Sequence, residues 1–175
     1  MFEIESETPV FPEFETLHRS FYDYLRYVKT LDSVYLLMAV ADDGSTSLTD
    51  LEQGMLHDLD LVKTVKGEEH FRSSYIAVVK IDNGVPHRVF EDLSDERIDY
   101  SGTLVDEASL EIISAGFDVG NTASIIIDDT DHAAPSRGFN IAVYDYEDSM
   151  ILDSCCFDTF TGDYGQAEGE VFGMT

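Results

Sequence analysis

Apolar residues along this chain follow two periods. Leu17, Phe21, Tyr24, Leu25 and Val28 recur every three or four positions, and this spacing predicts one helix over 17–30 with an apolar face for a sheet. Val34–Ala41 is an unbroken apolar run of strand length and predicts a buried strand. Asp42-Asp-Gly-Ser then reads as a turn. Thr49-Asp-Leu-Glu52 fits a capping box, which opens a second helix carrying Leu51, Met55, Leu56 and Leu59. Gly54 inside that helix costs about 1 kcal/mol relative to alanine. Ser74–Ile81 and Val85–Phe90 read as strands joined at Asn83-Gly84, a dipeptide suited to a turn in which both central residues need positive φ. Further strands are expected at Leu110–Ser114, Ala123–Ile127, Phe139–Tyr144 and Met150–Phe157, with Asp145–Ser149 turning the chain.

The remaining segments are weakly patterned. Residues 1–15, with Pro9, Pro12 and many glutamates, read as an extended N-terminal arm. Residues 91–107 are acidic and read as a linker, with a short helical turn near Glu91–Arg97. Residues 163–175 read as a glycine-rich tail. The expected class is α+β: mainly antiparallel sheets packed as a twisted sandwich with two or three short helices, in one domain over 16–162.

Composition changes the picture chiefly through charge. Thirty-six acids against ten lysines and arginines give a net charge of −26. At low salt such a surface repels itself. Near 1 M salt the Debye length falls to about 3 Å and most of that repulsion disappears. An evenly acidic, lysine-poor surface over an ordinary core is therefore read as adaptation to molar salt, with a calcium-binding or merely acidic protein as the alternative. Direct nucleic-acid binding is not expected, because it needs a basic footprint. No apolar run approaches the roughly 18 residues of a membrane helix, so no membrane partner is expected. The opening Met-Phe-Glu-Ile-Glu-Ser-Glu has neither the basic nor the apolar stretch of a signal peptide, so a secretory route is not expected either. Cys155 and Cys156 are adjacent and point to opposite faces of a strand, which disfavours a bond between them.

Catalytic and metal signals are sparse. His18, His57, His70, His87 and His132 are scattered, with no paired ligand spacing, nucleophile elbow, phosphate loop or dinucleotide fingerprint. Asp42-Asp43 and Asp128-Asp-Thr-Asp131 do not match the calcium-loop spacing and are read as solvated turn acids. No enzyme activity, metal or cofactor is expected.

Several phrases carry a family likeness. Ser114-Ala-Gly-Phe-Asp-Val-Gly-Asn-Thr, Ser136-Arg-Gly-Phe-Asn-Ile-Ala-Val-Tyr and Ile151-Leu-Asp-Ser-Cys-Cys-Phe-Asp-Thr resemble the first half of the interleukin-like EMT inducer (ILEI) domain, also called the GG domain. Phe21-Tyr-Asp-Tyr-Leu, Val34-Tyr-Leu-Leu-Met-Ala-Val-Ala-Asp-Asp-Gly and Leu48-Thr-Asp-Leu resemble its second half, and here they come first. The resemblance implies a circularly permuted domain with halves 17–90 and 108–162 joined by 91–107, or half-domains swapped between subunits.

The resemblance also implies extracellular recognition. Glycan contact falls to Arg137 and Asp158, since an arginine and a carboxylate make directional charge-assisted bonds to sugar hydroxyls. Tyr22, Tyr24, Tyr27 and Tyr35 are read as core and rim packing, and tryptophan is absent. Because GG domains are also similar to parts of phage tail fibres, the expected role is a non-enzymatic structural virion protein of a halophilic archaeal tailed virus, in a spike, turret or tail fibre. It would face the high-salt exterior and touch host-surface glycans, with the terminal arms binding other copies and other virion proteins. The alternative is a cellular glycan-binding module of a halophile, in its cytoplasm or in a surface complex.

Overall fold

The computed structural model describes residues 13–133, 135–162 and 164. Most of the expected arm and tail lies outside these residues, and so do the subunit contacts expected of them. The described ends nevertheless belong to the folded body. Helix α1 is Glu13–Leu17, and Phe14 is buried against the rings of Tyr24 and Tyr27 at 5.7 and 5.4 Å. Tyr164 packs edge-on against Phe157. The expectation of an arm through residue 15 and a tail from 163 is corrected at these points, because an aromatic ring near each boundary finds an apolar surface.

The single helix expected over 17–30 is two. The chain breaks after Leu17, and Ser20, in extended conformation, caps α2 (Phe21–Val28) by accepting the Asp23 amide at 3.1 Å. Helix α3 (Asp50–Asp58) begins with the expected capping box: Thr49 Oγ1 accepts the Glu52 amide, and Glu52 accepts the Thr49 amide. Leu51, expected on the apolar face, points outward instead, while Met55 and Leu56 are buried. Thr49→Ala removes one acceptor from an orphan amide and is expected to lower stability by about 1 kcal/mol. Urea unfolding in molar salt should show a lower midpoint with an unchanged slope.

Among the described residues, nine strands form one mixed sheet. Strand β1 (Val34–Asp42) lies between β2 (Ser74–Asp82) and β8 (Gly138–Asp145), antiparallel to both. β2 turns at Asn83 and Gly84, both at positive φ, into β3 (Val85–Ser94). β8 turns into β9 (Met150–Phe157). Past Ala39 the β2 ladder ends and β5 (Ser109–Gly116) takes its place as a parallel partner at Ala41 and Asp42. β5 carries β4 (Ile98–Thr103) and β6 (Thr122–Ile127), and the short β7 (Thr130–Asp131) follows.

Two buried serines hold the fork where β2 and β5 diverge. Ser114 Oγ donates to the Val40 carbonyl at 2.5 Å and accepts the Tyr75 amide at 2.9 Å. Ser74 Oγ accepts the Gly116 amide at 3.0 Å. These hydroxyls satisfy backbone groups that the splitting ladder leaves without partners.

The fork lets the β4–β7 part of the sheet fold over one face. Leu37, Ala39, Ile76, Val78 and Ala142 pack there with Leu110, Ile112, Ala123 and Ile125. On the other face Leu36, Met38, Val40, Val79 and Ile141 pack with Phe21, Leu25 and Val28 of α2 and Met55 and Leu56 of α3. The result is a β-rich α+β fold in which β1 is covered on both sides. The expected sandwich is corrected in one respect: its two layers are hydrogen-bonded through β1 into one sheet.

The expected linker is also corrected. Glu91–Ser94 completes β3, and Ile98–Thr103 is β4, fully paired with β5. Ile98 is buried and Tyr100 stacks on Phe90 at 4.4 Å, while the intervening Asp99, Ser101 and Thr103 are exposed. Half of each turn of the pleat is polar, which gives the segment its acidic, linker-like look.

Candidate functional site

The end of the sheet where β1 finishes carries the candidate site. Asp42 closes β1 in left-handed conformation (φ 63°) and delivers Asp43, which is fully buried, into the loop that follows. The Asp43 carboxylate accepts the Ser45 amide, the Ser45 hydroxyl, the Thr46 amide and, across the fold, the Arg72 amide at 2.8 Å. Burial works against its charge, but the bonds from Thr46, Arg72 and Ser45 outweigh burial and hold its pKa below the ordinary carboxylate value. The same loop reaches the other way: the Ser47 amide donates to the Thr159 carbonyl and its hydroxyl to the Phe160 carbonyl. One loop thus ties the 71–72 corner to the turn after β9.

A groove of about 500 Å³ opens beside this loop, lined by Ser45, Thr46, Lys66, Gly67, Glu68 and Phe71. Its far wall is set from α3. Gln53 is buried, its carbonyl oxygen accepts the Val65 and Lys66 amides, and its amide nitrogen donates to the Lys63 carbonyl. Gly67 turns the wall at φ 133°, a conformation that favours glycine. Phe71 is 48% exposed and Phe117 45%, and the Arg72 guanidinium lies over both rings at 4.8 and 4.1 Å. An exposed ring beside hydroxyls and an ammonium offers an apolar face and directional polar groups together.

The structure brings Arg137 and Asp158 together, chiefly with each other. Arg137 Nη2 donates to Asp158 Oδ2 at 2.8 Å, and Nε donates to both oxygens at 3.1 and 3.2 Å. Asp158 also accepts the Phe160 and Thr161 amides, and the guanidinium lies over the Phe160 ring at 4.5 Å. The pair therefore braces the turn after β9. Asn140 is buried and holds the 136–138 turn, accepting the Ser136 amide and donating to the Ser136 carbonyl.

The turn acids have structural work. Asp128 accepts the Ser109 amide and Asp131 the Ile125 and Ala133 amides. At the opposite end of the sheet a smaller groove of about 330 Å³ is lined by Asp106, Glu107 and Asp128 with His132, Tyr144 and Ser149 among others. There Tyr144 and Ser149 both donate to Asp106. Burial, followed by the bond to Asp106, pushes the Tyr144 phenol up to about 12.

Sequence reasoning singled out Arg137 and Asp158 and read Asp42-Asp-Gly-Ser as a turn, but it took Asp43, which is buried and fully bonded, for a solvated acid and missed Gln53, Phe71, Arg72 and Phe117. The last three come from segments 45 residues apart and meet only through the fold; the Gly67 punctuation just before Phe71 was the one local signal. No protein-family model, curated protein or solved structure matches this chain.

Proposed function

We propose that the protein is a non-enzymatic structural component of a halophilic archaeal tailed virus that touches host-surface glycans. The contact surface is the groove between Ser45 and Phe71, with the Arg137–Asp158 pair at its flank. The observation that carries the glycan reading is the half-exposed Phe71 ring set among hydroxyls and Lys66. A saccharide ring stacks its apolar face on such a ring and directs hydroxyls to the polar rim. The acidic surface supports a high-salt setting.

The domain is read as a permuted relative of the GG domain. Two features fit a permuted chain. β1, from the first half of the chain, is paired within one chain to β8, from the second. Phe157, at the end of β9, stacks on Phe21 at the start of α2 at 4.9 Å, so the two points that an unpermuted chain would join lie together.

Asp158→Ala is a poor test, because it also releases two turn amides. Phe71→Ala is cleaner. Probed in molar salt against arrayed neutral and acidic oligosaccharides, the variant should bind about tenfold more weakly than wild type, the value of one stacked ring. Its thermal unfolding should stay close to wild type. A wild-type protein that binds no arrayed glycan, or a variant that binds equally, removes the groove from the reading. The cellular alternative separates by sedimentation of native material in molar salt: co-migration with large particles at fixed stoichiometry supports a virion component, and migration as a free small protein supports a cellular glycan-binding module.

A further inference from the structure

A second cluster lies away from the groove, where the α1–α2 break meets β9. His18 sits in the break, three residues before α2 begins. Asp153 and Cys155 are two apart on β9 and so share a face. His18 Nε2 lies 2.8 Å from Asp153 Oδ2, and one ligand atom from each of His18, Asp153 and Cys155 lies within 4.8 Å of the others. All three residues lie between the surface and the core, with 32% of the His18 side chain and 11% of the Asp153 side chain exposed.

We infer that His18, Asp153 and Cys155 form a binding site for one divalent transition-metal ion of the zinc class. The donor set is one imidazole nitrogen, one carboxylate oxygen and one sulfur, which suits a borderline ion such as Zn2+ and not Mg2+ or Ca2+, whose sites are built from oxygens. Ligand atoms around a tetrahedral zinc lie about 3.3–3.8 Å apart, so the three atoms need to shift by about 1 Å, within the reach of side-chain torsions. The outer partner is also present: Tyr24 Oη donates to Asp153 Oδ2 at 2.6 Å and fixes the carboxylate. The ion would take the Cys155 sulfur as a thiolate, and binding releases the thiol proton. An ion here clips the helical layer to β9, which is paired only to β8 among the described strands.

The test is Co2+ titration of the full chain in molar salt with excess Mg2+, which saturates the carboxylate surface. The expected result is one Co2+ per chain with a near-ultraviolet thiolate-to-cobalt charge-transfer band. Cys155→Ser should abolish the band, Cys156→Ser should keep it, and His18→Gln should weaken binding at least tenfold. Circular dichroism verifies that each variant is folded, and the half-exposed His18 position gives a readout if Cys155→Ser does not fold. Absence of the band in the wild type, a band that survives Cys155→Ser, or one that depends on Cys156 overturns the assignment.

Discussion

Gly116→Ala is expected to lower stability by about 4 kcal/mol or more, enough to unfold the protein in moderate urea. A Cβ at this position would lie 1.9 Å from the Arg72 carbonyl oxygen and 2.7 Å from its carbon. Both are backbone atoms, so no side-chain rotation relieves the contact. Gly116 has φ −64°, so the effect is collision and not conformational strain. The fork must open to admit the methyl, and the Gly116 amide then leaves Ser74 Oγ. Gly54→Ala is the control: nothing lies within 4 Å of its Cβ, and the helix interior should gain up to about 1 kcal/mol. Urea unfolding of the two variants at constant molar salt checks both signs. A Gly116→Ala protein as stable as wild type would mean that β5 and residue 72 do not approach this closely.

Asp43→Ala is expected to cost about 3–5 kcal/mol near neutral pH. The substitution leaves the Ser45 and Arg72 amides beside an apolar methyl, and each buried donor without an acceptor costs about 1–3 kcal/mol. The effect depends on pH with a definite sign. The folded pKa of Asp43 lies below its unfolded value, so its contribution is fully present above the unfolded pKa and is lost as pH falls through the folded one. The stability gap between wild type and variant should therefore hold from about pH 5 upward and shrink below about pH 4. Urea curves at neutral pH and at pH near 3 measure it; a gap that stays constant would show that the charge of Asp43 contributes nothing beyond packing.

Local signals wrote out much of the fold. β1 was legible because both its faces are apolar, the β2–β3 hairpin because Asn83-Gly84 suits two positive-φ residues, and α3 because Thr49 and Glu52 bond to each other's amides. What escaped depends on distant partners. The break before α2 turns on a single serine inside an otherwise helical apolar pattern. β4 hides because Ile98 and Tyr100 are its only large inward residues, and their partners lie on β5 and β3. The fork serines look like ordinary strand polar residues until Val40, Tyr75 and Gly116 are placed beside them. The site divides the same way. Arg137 and Asp158 were legible as chemistry, but their commitment to each other was not, since a carboxylate 21 residues away looks like any of the other acids. Phe71 and Phe117 became a surface only when Arg72 was laid over both.

The position of β1 bears on how the chain is made. β1 leaves the ribosome before either of its long-ladder partners, and β2 covers one of its edges after about forty further residues. Its other edge waits for β8, roughly a hundred residues later. Until then an uncharged apolar run is open to pairing with a neighbouring nascent chain, a recognised route to aggregation. The carboxylates that flank the run, Asp32 before it and Asp42-Asp43 after it, sit where gatekeeper charges discourage such pairing. Long-range closure of β8 onto β1 makes folding slow by nature.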